Sequence, residues 1–131
     1  MPDPQTAPYG SWSSPITSEL IAVSTIGLGE IWLDGADVYW LEARPREGGR
    51  SVIVRLRADG TLSDVTPPVP ATGEASFNVR SRVHEYGGGA YLVSGGVVYF
   101  CNDADQRLYC QQTGSAPVAI TADPARSRGL R

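Results

Sequence analysis

The single histidine of the chain, His84, stands beside Glu85 and is followed by Tyr86 and three glycines, Gly87, Gly88 and Gly89. An imidazole next to a carboxylate offers the residue types that general acid–base catalysis uses, and a carboxylate in such a loop can also hold an ammonium group. Catalysis needs more than these. A serine hydrolase of the α/β kind requires a nucleophile on a Gly-x-Ser-x-Gly elbow, then an acid, then a histidine. No such elbow occurs in the 131 residues, so no catalytic residue is assigned. The glycine run lacks the spacing of the common nucleotide loops, and no lysine follows it because all eleven basic residues are arginine. A structural joint, where an inner strand passes close to other backbone, suits the glycines better.

The remaining chemistry-bearing residues are few. Asn102–Gln106 contains two carboxylates, Asp103 and Asp105, without the glycine and distal glutamate of a calcium loop, and it reads as a polar hairpin turn. Cys101 and Cys110 are too few for a disulfide scaffold and have no zinc spacing. Neither metal nor cofactor is predicted. With a turn centred on Ala104-Asp105 the two cysteines become diagonal neighbours, roughly 7–8 Å apart and too far for an unstrained bridge, so both are expected reduced.

Composition narrows the class. A hydrophobic share of 41% and a net charge of −3 fit a soluble globular domain, and arginines scattered among carboxylates make no basic face for nucleic acid. The first residues lack a basic head with an apolar run, and no apolar stretch reaches membrane-spanning length, which makes the cytoplasm the default expectation and a membrane partner unexpected.

The elements that must position these residues read as strands. Segments rich in valine, tyrosine, tryptophan and leucine recur between Asp-Gly, Gly-Gly and Pro-Pro signals, predicting strands near 30–33, 37–43, 51–57 and 63–66, then near 90–93, 97–102, 106–112 and 118–121. "IWLDGADVYWLE" aligns with "AYLVSGGVVYFCN", so that Val38, Tyr39 and Trp40 match Val98, Tyr99 and Phe100. A four-strand antiparallel unit repeated in this way is how propeller blades are written. The predicted fold is all-β: two four-stranded antiparallel blades of an incomplete β-propeller, behind a short N-terminal extension. The expected boundaries are an extension over 1–29, blade one over 30–66, an inter-blade loop carrying HEYGGG over 67–89, blade two over 90–122, and a tail over 123–131. Ser14-Pro15 resembles an N-cap with a first helical residue, predicting a short helix over 15–22. Asp34-Gly35, Asp59-Gly60 and Gly95-Gly96 supply the residues that tight turns need. The strand aromatics, Trp32, Tyr39, Trp40, Tyr91, Tyr99, Phe100 and Tyr109, are expected to pack between blades.

The wording of the chain also carries a resemblance. "PYGSWSSPITSELI", "DVYWLEARPREGGRSVIVR", "FNVRSRVHEYGGGAYLV" and "VVYFCNDADQRLY" together resemble the start of the propeller domain in bacterial peptidases of the prolyl oligopeptidase family, in the dipeptidyl aminopeptidase and acylaminoacyl-peptidase branch. Arg82 to Gly89 is the most specific part. The resemblance implies a larger propeller that covers a C-terminal α/β-hydrolase domain and admits only short peptides, with the Ser-Asp-His triad in that second domain. Only the first two blades correspond to this chain. Its implied partners are the rest of the propeller, the hydrolase domain and short peptide substrates. Glu85, flanked by His84 and Tyr86, would then be placed to bind a substrate amine; the competing reading has these side chains tying the loop to backbone groups. A different class, a stand-alone TolB-like or WD-repeat-like propeller that binds other proteins, is the alternative. Either way, two blades leave two apolar end faces uncovered, which predicts self-association.

Overall fold

The structure is a computed structural model that describes residues 6–11, 14–17, 25–68, 76–83 and 88–123. It contains two four-stranded antiparallel meanders. The first joins β1 (Gly27–Asp34), β2 (Asp37–Arg44), β3 (Arg50–Leu56) and β4 (Leu62–Asp64), and the second joins β5 (Tyr91–Ser94), β6 (Val97–Cys101), β7 (Leu108–Gln112) and β8 (Val118–Ala119). A 3-10 turn over Pro45–Glu47 is the helical element among the described residues. No helix there is long and apolar enough to cross a membrane.

Turn chemistry sets each hairpin. Asp34 pairs with Asp37, which makes Gly35–Ala36 the two-residue loop, with Gly35 at φ +62°. The positive φ thus falls on the residue after the aspartate alone, and Asp34 stays in the ladder. In the second sheet Gly95 and Gly96 both take positive φ (58° and 76°), as a type I′ turn requires. Between β3 and β4, Gly60 N donates to Arg57 O (2.9 Å) and Thr61 N to Asp59 Oδ1 (2.8 Å), so Asp59-Gly60 closes the loop by an Asx turn and a left-handed glycine. Strand β7 begins at Leu108 rather than at 106 because Asn102–Arg107 is occupied by its own loop. Asn102 N donates to Arg107 O (3.0 Å) and Gln106 N to Asn102 O (2.8 Å). The expected helix is not present over 15–17, where Ser14 Oγ accepts from Ile16 N (3.0 Å) in a local turn; residues 18–22 lie outside those described.

Each sheet has two faces fixed by the ladder. In the first sheet the front carries Trp32, Tyr39, Leu41, Ile53 and Arg55, and the back carries Leu33, Val38, Trp40, Val54 and Leu56. In the second the back carries Tyr91, Val93, Val98, Phe100 and Tyr109, and the front Leu92, Tyr99, Cys101, Leu108 and Cys110. The core forms where the front of the first meets the back of the second: Tyr39, Ile53, Val79, Tyr91, Val98 and Phe100 are buried together. Phe77 stands edge-on to Phe100 and Tyr109, at centroid distances of 5.7 and 5.0 Å. Burying a side chain of this size stabilises by roughly 1.5–3 kcal/mol, against roughly 0–1 kcal/mol for an exposed ion pair. Apolar packing therefore holds the seam, and the polar contacts across it set its register.

The repeat has a consequence for those faces. Tyr39 and Tyr99 are equivalent in the ladder, each the third residue after its hairpin loop, yet Tyr39 is buried and Tyr99 is exposed. Conversely Phe100 is fully buried while its equivalent Trp40 is half-buried. Equivalent residues point the same way in successive blades, and their burial follows what each face meets: the front of the first sheet packs on the back of the second, while Val52 and Val54 are also buried on the back of the first.

Candidate functional site

His84, Glu85, Tyr86 and Gly87 lie outside the described residues, so the site is built from what flanks them. On the upstream side the chain is stitched to both sheets. Val79 N donates to Ser51 O (3.0 Å), Ser51 N to Asn78 Oδ1 (2.9 Å), Asn78 N to Asn102 Oδ1 (3.1 Å) and Arg80 N to Cys101 O (3.0 Å). Arg82 follows, with its backbone N donating to Gln106 Oε1 (2.9 Å) and its guanidinium donating to Asp103 Oδ1 (3.1 Å) and Asp103 O (2.7 Å). The polar turn read from "NDADQ" thus serves as the anchor for the start of the motif.

On the downstream side Gly88 (φ 139°) and Gly89 (φ 56°) take backbone conformations that favour glycine, and lead into β5. Here the first sheet reaches across. Strand β1 has one extra residue between Gly29 and Trp32, a β-bulge, and within it Glu30 adopts φ +49°. The carboxylate of Glu30 accepts from Ala90 N at 3.0 Å, and its backbone carbonyl accepts from the Tyr91 hydroxyl. Burial, with the Glu30 charge nearby as a lesser cause, pushes the Tyr91 hydroxyl well above its ordinary pKa, so it stays a donor. Four residues on, the Asp34 carboxylate accepts from Gly95 N (3.1 Å) and Gly96 N (2.6 Å). Gln111 Nε2 adds a bond to Val65 O at 2.7 Å, and Arg55 one to Thr113 Oγ1 at 2.9 Å. The Glu30 and Asp34 bonds hold the motif's exit at the seam between β1 and β5, and the Gln111 and Arg55 bonds tie the two sheets further out.

Between the two flanks lies an open cleft of about 460 Å³ lined by Ser81, Arg82, Gly88, Gly89, Cys101 and Gln106 among others. Its chemistry is that of a rim. Burial first, then the charges of Asp105 and Asp103, push the Cys101 thiol upward, the opposite of what a thiolate nucleophile needs. Burial also works against the Asp105 carboxyl, but hydrogen bonds from Tyr109, Arg107 N and Asn102 together hold it below its usual value, so it serves as a fixed anionic acceptor. Cys101 and Cys110 are both free and sit diagonally on one face, since Cys101 pairs with Leu108 and Cys110 with Tyr99. That is the register centred on Ala104-Asp105. Among the described residues no group of three or more histidine, cysteine or acidic side chains could hold a metal ion.

Sequence reasoning passed over Glu30, Asp34 as a clasp, and the anchoring of Arg82 on Asp103. The one local signal was "GLGE", two glycines just ahead of an acid on an inner strand, which is compatible with a bulge and names no partner.

No family model matches the chain, and no curated protein does. Solved structures do. A puromycin-hydrolyzing peptidase of Mycobacterium tuberculosis aligns over 92% of this chain at 38% identity with a TM-score of 0.77. The resemblance to prolyl oligopeptidase-family peptidases holds in three dimensions. A puromycin hydrolase aligns over 88% at 37% identity and TM-score 0.71, and a mutant puromycin hydrolase complexed with PGG over 87% at 36% and 0.70. The chain spans 18% of the length of the first two peptidases and 17% of the third. The match is to the N-terminal region of those peptidases, which fits a non-catalytic piece of a peptidase.

Proposed function

We propose that this chain forms the N-terminal propeller portion of a cytoplasmic serine peptidase, where it restricts access to an active site carried by an α/β-hydrolase domain and helps receive short peptides. The supporting observation is the alignment of 92% of the chain, at 38% identity, with a puromycin-hydrolyzing peptidase. In this reading the seam clasped by Glu30 and Asp34 keeps the inner strands β1 and β5 in register, and so fixes the lip of the channel through which substrate passes. Glu85, with His84 and Tyr86 beside it, binds the free amine of the substrate. The chain by itself contributes no nucleophile and turns over nothing.

The test uses the intact peptidase and peptides of graded length, with puromycin as a further substrate. Loosening the seam by Asp34→Ala should raise the hydrolysis of long peptides relative to short ones. Glu85→Gln should lower kcat/KM for substrates with free amino termini about tenfold, and leave amino-blocked ones unchanged. A length preference that stays constant while Asp34→Ala measurably destabilises the protein refutes the gating role. An unchanged kcat/KM in Glu85→Gln returns that residue to the structural reading.

A further inference from the structure

A positive φ is glycine's conformation, and among the described residues only Glu30 (49°) and Gln106 (53°) adopt it with a side chain. They belong to different sheets, Glu30 to the bulge in β1 and Gln106 to the loop between β6 and β7. Their side chains nevertheless end on one stretch of backbone. Gln106 Oε1 accepts from Arg82 N at 2.9 Å, and the Glu30 carboxylate accepts from Ala90 N at 3.0 Å. These two amides bracket residues 83–89, the stretch in which the sequence carries His84, Glu85 and Tyr86.

Each contact is held in turn. Gln106 Nε2 donates to Asp103 O (2.9 Å), the same carbonyl that takes the Arg82 guanidinium (2.7 Å), and Gln106 N donates to Asn102 O (2.8 Å). The backbone carbonyl of Glu30 accepts from the hydroxyl of buried Tyr91, one residue beyond Ala90. A bulge and a tight loop account for the two left-handed positions taken singly, and glycine would serve either at lower cost. They do not account for an acceptor at each, reaching the two ends of the same segment. Local strain persists where the surroundings over-determine it, and it concentrates where position matters to function.

We propose that Glu30 and Gln106 are positioning residues for substrate recognition. From two sheets they fix the points at which the chain enters and leaves the segment that bears Glu85, so that the segment receives the substrate amine in one place. The inference rests on the amine-binding role proposed above and adds to it residues that do not touch substrate.

The test uses the intact peptidase and one short peptide with its amino terminus free or acetylated, read as the ratio of the two kcat/KM values. Glu30→Gly and Gln106→Gly each delete an acceptor and relieve the strain, and each should lower the ratio about threefold or more. Glu30→Gln keeps an oxygen for Ala90 N and should hold the ratio of the unaltered enzyme. A purely structural defect lowers both peptides together and leaves the ratio in place, so an unchanged ratio in either glycine variant overturns the proposal. A Glu30→Gln variant as impaired as Glu30→Gly overturns it too, since the charge and not the bond would then matter. Glu85→Gln is run beside them: if it leaves the ratio unchanged, the amine role of Glu85 falls, while the glycine variants still decide the clamp. Should Gln106→Gly fail to fold, Gln106→Asn replaces it, because asparagine tolerates positive φ and its shorter side chain stops short of Arg82 N.

Discussion

Glu30 permits a test in which the sign of the effect is decided by backbone geometry. Its φ of +49° is a left-handed conformation inside a strand. For an L-residue that costs roughly 1–2 kcal/mol, a cost that glycine avoids. In return its carboxylate accepts from Ala90 N, a charge-assisted bond worth at most about 1.5–3 kcal/mol and less here, because Glu30 is exposed although Ala90 is buried. Glu30→Ala loses the bond and keeps the strain, for a net destabilisation of about 1–2 kcal/mol. Glu30→Gly loses the bond and sheds the strain, so it should be more stable than the alanine variant by about 1 kcal/mol. At an ordinary strand position the order is reversed, with glycine worse than alanine by roughly 0.5–1 kcal/mol. Urea denaturation followed by tryptophan fluorescence measures both. An alanine variant as stable as the glycine variant, or more so, would refute the claim that the bulge holds Glu30 under strain.

Other outcomes follow from the same geometry. Among the described residues the hydroxyl of Tyr39 is buried without a partner, so Tyr39→Phe should leave stability unchanged or raise it by up to roughly 1–3 kcal/mol, and a loss above about 1 kcal/mol in the same denaturation assay would show that the hydroxyl is satisfied. Hydrogen bonding from Arg55 holds the Asp37 carboxyl below its usual value, and the bonds to Asp105 do the same there. Depressed carboxyls contribute stability that is full above their unfolded values near ~4 and is lost as pH falls through the folded values, so melting temperature should hold from neutrality to about pH 5 and drop below about pH 4. Thiol titration in denaturant should find two free groups per chain, and under native conditions Cys110 should react before the buried Cys101.

What the sequence disclosed and what it withheld divide along physical lines. Gly95-Gly96 forces its hairpin because both loop positions need positive φ, and the spacing of Cys101 from Cys110 sets their diagonal register once the turn is centred. These are local constraints, carried by the residues themselves. The matching letters Val38-Tyr39-Trp40 and Val98-Tyr99-Phe100 located the repeat, but could not say that burial alternates in opposite phase in the two copies. Which face is covered depends on the neighbouring sheet, and that information is absent from a strand's own pattern. The helix expected over 15–22 rested on Ser14 and Pro15 alone, and the observed bond from Ile16 N to Ser14 Oγ shows how such a pair also builds an isolated turn. Glu30 was not legible because a bulge is a mismatch between two strands, visible only when their registers are compared.

The clasps at the seam also bear on the order in which the molecule assembles. Within each meander every strand pairs with its sequence neighbour, so these contacts are local and form without closing a large loop. Glu30 to Ala90 and Asp34 to Gly96 instead join residues 60 and 62 positions apart. Closing a loop of that length carries an entropic cost that the hairpins do not meet. The two meanders should therefore gain structure first and the seam last, and in the native state the same contacts should be the first to open. Amide exchange at Ala90 and Gly96, which donate to those two carboxylates, would then run ahead of exchange at Val54 and Phe100 inside the ladders. The polypeptide entering β5 accordingly has its own opening equilibrium, separate from global unfolding and tuned by two carboxylates that belong to the other sheet.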